Sequence, residues 1–466
     1  MPDPVIKNPA SYRDPSGFVF EKDGLFYRQV NAVYRQHFDH FIDSGCYDHL
    51  VKNRLLIPHE VIKENITGST DYFCTLKPER IHFLSWPYEW SFNMLKDAAL
   101  LTLRLVKEAI VFGIILKDAT PYNIQWHQGR LIFIDTLSFE KYNEDEPWIA
   151  YHQFCESFLA PLLLMHYSSK PLQEMSLAYP DGIPLSTAAS LLPWKSKFSL
   201  HTYLHLHLHA KLAAHHSTTK QKKIRFSKQK MLNLINSLEG LVSKLKLPDA
   251  KSTWSEYYEE ASQRKDYLQV KKRIIEHWAS NLQNISFVVD LGANEGEFSK
   301  LLAEKNIAVV AADSDPYCIN KLYLEILRTN LTNIQPLILD LTHPSPAIGV
   351  NNEERTSFIQ RTSADLALAL ALIHHLCIGK NIPFEKVAHF MATVSRYLII
   401  EFVPKNDFKV SEMLRHKKDI YTDYTEEKFI KSFKKNFTIL AQEKISGSER
   451  TLFLMKKYEN PVDRTI

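Results

Sequence analysis

From about residue 287 onward, apolar positions fall into short runs of strand length, with longer stretches of helical spacing between them. The runs are 287–291, 307–312, 334–339, 366–370 and 397–402, and the helical pattern occupies 297–305, 316–329 and 383–395. Strands alternating with helices predict a parallel sheet covered on both faces. Segments 437–441 and 451–455 supply two further strands. The earlier part has a different texture. Residues 16–30 carry two apolar-aromatic runs around Asp23-Gly24, the pattern of a hairpin. A helical stretch is expected near 38–50. Residues 92–112 are too densely apolar for an exposed helix and predict a buried one, stopped at Gly113. Strand-length runs at 114–116 and 131–134 lie either side of the turn signal Gln128-Gly129, and 148–240 is mostly helical with a loop near Pro180-Asp181-Gly182. The basic run 220–230 reads as a solvated face or linker.

A chain of 466 residues exceeds what one hydrophobic core holds. Pro248-Asp249 breaks the pattern, so we divide the chain into residues 1–248, an α+β domain with a helical second part, and 249–466, an α/β domain. The net charge of +4 is too small to imply nucleic acid. The five cysteines, Cys46, Cys74, Cys155, Cys318 and Cys377, are too scattered for a metal knuckle or a disulfide framework. The longest apolar runs, 158–165 and 366–373, fall short of the roughly 20 residues that span a bilayer. The start of the chain lacks a basic segment followed by an apolar one. A cytoplasmic location without membrane insertion is the expectation, with the oligomeric state open.

Candidate chemistry concentrates where the alternating pattern begins. Val289-Asp290-Leu291-Gly292-Ala293-Asn294-Glu295-Gly296 is a strand end, a glycine-rich turn and a helix start. Gly292 and Gly296 let the backbone approach a ligand where unpaired helix amides point. The next strand runs into Asp313, about 20 residues on, where a carboxylate is placed for two ribose hydroxyls. The third run is followed by Asp340, which can accept a hydrogen bond from an adenine amino group. This set resembles the first motifs of class I S-adenosylmethionine-dependent methyltransferases, over roughly 253–458. The resemblance implies a Rossmann-like seven-stranded sheet, S-adenosyl-L-methionine as cofactor, and Asp290, Gly292, Asn294, Gly296, Asp313 and Asp340 as its binding residues. The spacing Gly-Ala-Asn-Glu-Gly, in place of GxGxxG, favours the methyl donor over a nicotinamide. Past the fourth strand stand His374 and His375, and Glu401 ends the fifth; all three are candidates to take a proton from an acceptor. The long 341–364 segment is expected to shape the acceptor pocket. Trp254, Tyr257, Tyr258 and Tyr267 lie on a helix leading into the domain.

The first half has a motif of its own. Asp118 and Asn123 stand as in D-x-x-x-x-N, and Asp135 ends an apolar strand after a short turn. The order resembles the catalytic loop and metal-binding aspartate of protein kinases and aminoglycoside phosphotransferases. It implies Asp118 as base, with Asn123 and Asp135 on magnesium. Leu116-Lys117 and Thr136-Leu137 depart from that pattern, and no glycine-rich phosphate loop or distinctive strand lysine precedes it; Lys63 and Lys77 have nothing to single them out. A kinase-like but degenerate, substrate-holding module is the expectation, so no metal is assigned. His201, His205, His207 and His209 form a tempting cluster that lacks a supporting carboxylate or cysteine pattern. Together these features point to methyl transfer onto an unidentified acceptor, with a small molecule or carbohydrate favoured. The alternatives are a bifunctional protein with an active magnesium-ATP phosphotransferase half, or a non-catalytic scaffold that binds the methyl donor.

Overall fold

Every apolar run of the alternating half forms a strand in the computed structural model, which describes residues 5–214, 226–248, 265–415 and 417–458. The chain divides into two units. Met1–Pro248 with Ala347–Arg355 form one, and Asp249–Pro346 with Thr356–Ile466 form the other.

In the first unit, β1 (Ile6–Lys7), β2 (Gly17–Lys22), β3 (Leu25–Asn31), β4 (His59–Ile62) and β5 (Tyr72–Pro78) make an antiparallel sheet of order β1-β2-β3-β5-β4. Asp23 and Gly24 both take positive φ (51° and 70°), which matches the right-handed twist of the β2–β3 hairpin. The expected helix near 38–50 is two helices, α1 (Arg35–Asp43) and α2 (Cys46–Lys52), because Gly45 turns left-handed at φ 77° between them. Tyr34, Phe38, Cys74, Leu76 and Leu137 pack around Val30 beneath this sheet. The buried helix α3 (Phe92–Val111) ends against Gly113. It is followed by β6 (Ile114–Leu116), β7 (Ile124–His127), β8 (Arg130–Phe133) and β9 (Phe139–Lys141); β6 pairs with β9, and β7 with β8 across Gln128-Gly129. From there to Pro248 the unit is mainly helical, and its last helix is α4 (Lys228–Lys244).

The second unit holds α5 (Lys265–Asn281), β10 (Phe287–Leu291), α6 (Glu297–Ala303), β11 (Ala308–Asp313), α7 (Pro316–Thr329), β12 (Ile334–Ile338), β13 (Ala364–Ala369), α8 (Phe384–Val394), β14 (Ser395–Phe402), α9 (Glu426–Phe433), β15 (Phe437–Lys444) and β16 (Thr451–Lys457). The seven strands lie in the order β12-β11-β10-β13-β14-β16-β15. The five from β12 to β14 are parallel, and β16 runs antiparallel between β14 and β15. This is the expected α/β, Rossmann-like sheet. Its central strands read as nearly unbroken apolar runs because both faces are covered: Val289, Leu368 and Ile400 are fully buried. Strand order reverses between β10 and β13, and at such a switch point the carboxyl ends of the strands leave a crevice.

Among the described residues no helix is long and apolar enough to cross a membrane. All five cysteines are free and buried. Trp254, Tyr257 and Tyr258, and residues 220–225 of the basic run, lie outside the described residues.

Replacing Leu368 by Ala in the middle of the sheet removes a fully buried side chain that neighbours on both sides hold in place. We expect a loss of about 2–5 kcal/mol, read as a lowered denaturant midpoint of the full-length protein.

Candidate functional site

The crevice at the switch point of the second unit is a cavity of about 400 Å³, within the ordinary range for a small-molecule site. Gly292, Ala293 and Asn294 line it from the turn after β10, Asp313 and Ser314 from the end of β11, and Asp340, Leu341 and Thr342 from the end of β12. Leu370–Leu372 and His375 follow β13, while Tyr267, Leu268 and Lys271 come from α5. Asp290, Asp313 and Asp340, which end or follow three adjacent strands, therefore meet in one cavity.

The turn is shaped by its glycines. Gly292 and Gly296 sit at φ 79° and 77°, where a side chain is strained. A Cβ on Gly296 would stand 2.8 Å from Leu322 Cδ1, so close packing of the turn on α7 forbids one. Gly296 caps α6 and does not itself line the cavity. Asn294, also left-handed at φ 51°, donates its backbone N–H to Asp313 Oδ2 at 2.8 Å. Asp313 Oδ1 accepts the N–H of Asp315 at 2.9 Å. Burial nonetheless pushes the Asp313 carboxyl upward, against those amides. Asp290 is buried, accepts from Ser299 Oγ at 2.7 Å, and is pushed up to about 6 by burial and then by the charge of Asp313. Asp340 accepts both the N–H and the Oγ1–H of Thr342, at 2.8 and 2.7 Å.

Of the three candidate bases only His375 lines the cavity. Burial, then the charges of Arg450 and Lys409, lower it to about 4, so its imidazole is neutral at pH 7. His374 packs against His375 with ring centroids 3.9 Å apart, and burial holds it uncharged. Glu401 is fully buried and its oxygens take four donors. Tyr267 Oη (2.6 Å) and Arg450 Nη1 (3.3 Å) meet Oε1; Lys271 Nζ (2.6 Å) and the Ala371 N–H (2.8 Å) meet Oε2. Arg450 also holds Asp407, at 2.8 and 3.0 Å. Burial alone would raise the Glu401 carboxyl, but Lys271 and Arg450 outweigh it and hold it at about 2. Glu401 thus ties α5 to the left-handed Ala371 (φ 50°) after β13, an anchor for the cavity wall. Lys271 is the residue that sequence reasoning missed. It stands on the apolar face of α5 with Ile274, Ile275 and Trp278, all buried, and a lysine within such a stripe was the available signal.

The 341–364 segment splits. Leu341 and Thr342 line the cavity, whereas Ala347–Arg355 belongs to the first unit. There Glu354 pairs with Arg13 at 2.8 Å and accepts from Tyr12, and Arg355 lies over the Tyr122 ring at 4.3 Å.

The first unit brings its three motif residues into one polar cluster. Asn123 Nδ2 donates to Asp118 Oδ2 (3.1 Å) and Ser138 Oγ (3.4 Å), and Ser138 Oγ donates to Asp135 Oδ2 at 2.6 Å. Gln153 Nε2 donates to Asp118 Oδ1 at 2.6 Å. Burial, then the charge of Asp135, raises the Asp118 carboxyl. Asp135 Oδ1 is ion-paired to Arg28 of β3, a residue the sequence did not single out, and Lys117 pairs with Asp14 at 3.4 Å. The histidine cluster is engaged with its neighbours. His205 bonds Tyr151 and Ser237, His207 bonds Ser196, His201 bonds Ser237, and His209 meets His152. Among the described residues no group of three His, Cys, Asp or Glu side chains could hold a metal ion.

The Glu401 network has a pH signature. Its folded value lies below the free value of 4.5, so its stabilisation is present above that value and is lost as pH falls towards about 2. At pH 7 Glu401→Gln, which leaves two buried cations short of a partner, is expected to cost about 3–5 kcal/mol. In denaturant titrations the gap between wild type and variant should narrow from pH 7 to pH 3.

Known proteins place the chain further. No family model matches it. The solved structures that resemble it weakly include two methyltransferases. Magnesium protoporphyrin IX methyltransferase of Synechocystis PCC 6803, with bound SAH, is 15% identical over 45% of this chain and 90% of its own, at a TM-score of 0.30. The N-methyltransferase NodS of Bradyrhizobium japonicum WM9 is 13% identical over 42% of this chain and 97% of its own, at 0.29. The nodulation protein NoeA of Rhizobium meliloti (strain 1021) is 33% identical over 473 residues, covering 96% of both chains. At that identity, over nearly its whole length, the chain belongs to the family of nodulation protein NoeA.

Proposed function

We propose that the second unit binds S-adenosyl-L-methionine and transfers its methyl group to a small-molecule or carbohydrate acceptor. The supporting observation is the convergence of Asp290, Asp313 and Asp340 on one cavity beside the glycine turn, at the switch point of the sheet. Burying the Asp290 carboxylate costs free energy that a ligand donor would offset. The residues fit the cofactor. Asp313 has lone pairs left beyond its amide donors for ribose hydroxyls, Asp340 suits an adenine amino group, and Leu339, Leu341 and Leu370 supply apolar wall. When bound, the cofactor supplies an already activated methyl group on its sulfonium. The remaining task for the chain is to orient the acceptor and exclude water. Of the three candidate bases, His375, neutral at pH 7, is the one on the cavity wall and so the one placed to accept a proton from a hydroxyl or ammonium acceptor. No Asn-Pro-Pro-Tyr sequence follows β13, which disfavours an adenine or glutamine acceptor.

Calorimetric titration of S-adenosylmethionine tests this reading. Wild type should bind at micromolar concentration, and Asp313→Ala should weaken binding about tenfold or more, the loss of hydrogen bonds to a charged group. No binding by wild type would overturn it, and binding without turnover over a broad acceptor panel would favour a scaffold.

For the first unit we infer a kinase-like, degenerate module that holds a substrate or partner. Asp118, Asn123 and Asp135 come together as in phosphotransferases, but Arg28 already neutralises Asp135, the carboxylate that would take the metal. The full-length protein is expected to show no magnesium-dependent ATP turnover. Turnover that Asp135→Ala abolishes would overturn this inference and make the protein bifunctional.

A further inference from the structure

In the first unit, the helix over 200–214 turns its leucines outward. Leu200, Leu204, Leu208 and Leu212 follow at intervals of four, which sets them in a row along one face. Leu200, Leu204 and Leu212 are exposed, and Leu208 is half-buried. The row is about 18 Å long. The opposite face is buried and carries, beside Leu206 and Ala210, the polar Thr202, His205 and His207. His205 bonds Tyr151 and Ser237, and His207 bonds Ser196. A surface helix of a globular domain ordinarily buries its leucines and leaves its histidines to water.

The 3-10 turn Trp194–Phe198, just before this helix, enlarges the apolar surface. Ser196 in its middle is buried, and its bond to His207 at 2.8 Å pins the turn to the helix. The residues on either side of Ser196 face outward. Trp194 and Phe198 are 72% and 75% exposed, with ring centroids 5.0 Å apart, and the exposed Lys195 and Lys197 stand between them in sequence. Lys211 is exposed beside Leu212. Lys197 and Lys211 both stand close enough to His207 for their charges to act on it. Single exposed apolar side chains are ordinary, whereas a cluster of them marks an interaction surface.

Charge selects what covers this surface. Between Asp181 and Glu239 the sequence has nine lysines and arginines and no acidic residue. A second copy seated on the same face would set like charges against each other. Tryptophan, phenylalanine and a leucine row interleaved with lysines instead suit the boundary of a bilayer. There the apolar side chains reach the acyl chains and the ammonium groups meet anionic headgroups. We propose that this face docks the protein on an anionic lipid surface. The contact lies on the bilayer and does not cross it; among the described residues no helix is long and apolar enough to do so.

Docking needs no methyl donor, so its test is separate from that of the second unit. Full-length protein is sedimented with vesicles. Wild type should pellet with phosphatidylcholine vesicles that contain about one third phosphatidylglycerol, and should bind pure phosphatidylcholine at least about tenfold more weakly. Trp194→Ser combined with Phe198→Ser removes the aromatic anchors and should weaken binding to the anionic vesicles about tenfold or more. Lys195→Glu combined with Lys197→Glu should weaken it by about the same factor. All four positions are exposed, so both variants should keep the wild-type denaturant midpoint. Wild type that stays in the supernatant, that binds both kinds of vesicle equally, or that binds anionic vesicles regardless of the aromatic change would overturn the proposal. Self-association of wild type that the aromatic variant abolishes, without vesicle binding, would overturn it in favour of a second copy. Should the aromatic variant fail to fold, wild type and the lysine variant decide, and unchanged binding by the latter would overturn the proposal.

Discussion

The shape of the cavity rests on one buried carboxylate. Glu401 lies at the end of a central strand with no exposure to water, a position that costs several kcal/mol per uncompensated charge. Its compensation comes from three places distant in sequence: Tyr267 and Lys271 on α5, the Ala371 amide after β13, and Arg450 just before β16. Satisfying the charge therefore fixes the helix that leads into the sheet against the loop beyond its fourth strand. It also holds Ala371 in a left-handed conformation that a non-glycine residue adopts only under constraint. Leu372, the next residue, lies against Gly292, so the glycine turn and the Glu401 network constrain each other.

The second unit is legible in the sequence because a strand buried on both faces leaves an unbroken apolar run, and such runs have sharp ends. Phe287–Leu291 matches its expected span to the residue, and the paired final strands, Phe437–Lys444 and Thr451–Lys457, fall where expected, though their antiparallel insertion leaves no mark in the pattern. The first unit is harder. β4 and β5 escape because their sequences, His-Glu-Val-Ile and Tyr-Phe-Cys-Thr-Leu-Lys-Pro, mix charge, β-branching and proline without clean alternation. β7, Ile-Gln-Trp-His, is buried throughout, yet its Gln125 and His127 read as polar; Gln125 is accommodated by the backbone of Ser85. The break at Gly45 needs a positive φ that glycine permits but does not announce.

At the site, sequence reasoning finds residues adjacent to a motif and misses those that reach it from elsewhere. Asp290, Asp313 and Asp340 are each marked by a strand end. Lys271 and Arg28 are marked only by their partners, Glu401 at 130 and Asp135 at 107 residues' separation. Both are cations paired with a carboxylate to which the sequence assigns a chemical role. In each case the pairing changes the role. Glu401 becomes an anchor because its lone pairs are engaged, and Asp135 meets an internal cation where a metal would stand. Ala347–Arg355, which follows the third strand of the second unit, joins the first through Glu354 and Arg355, whose partners are more than 200 residues earlier in the chain.

A crystal structure of the full-length protein grown with S-adenosylhomocysteine tests the central claim most directly. The ligand is expected in the cavity between the glycine turn and Ala371, with both ribose hydroxyls on Asp313 and adenine towards Asp340. A cavity without ligand at saturating concentration, or a nucleoside bound with its ribose away from Asp313, would contradict it.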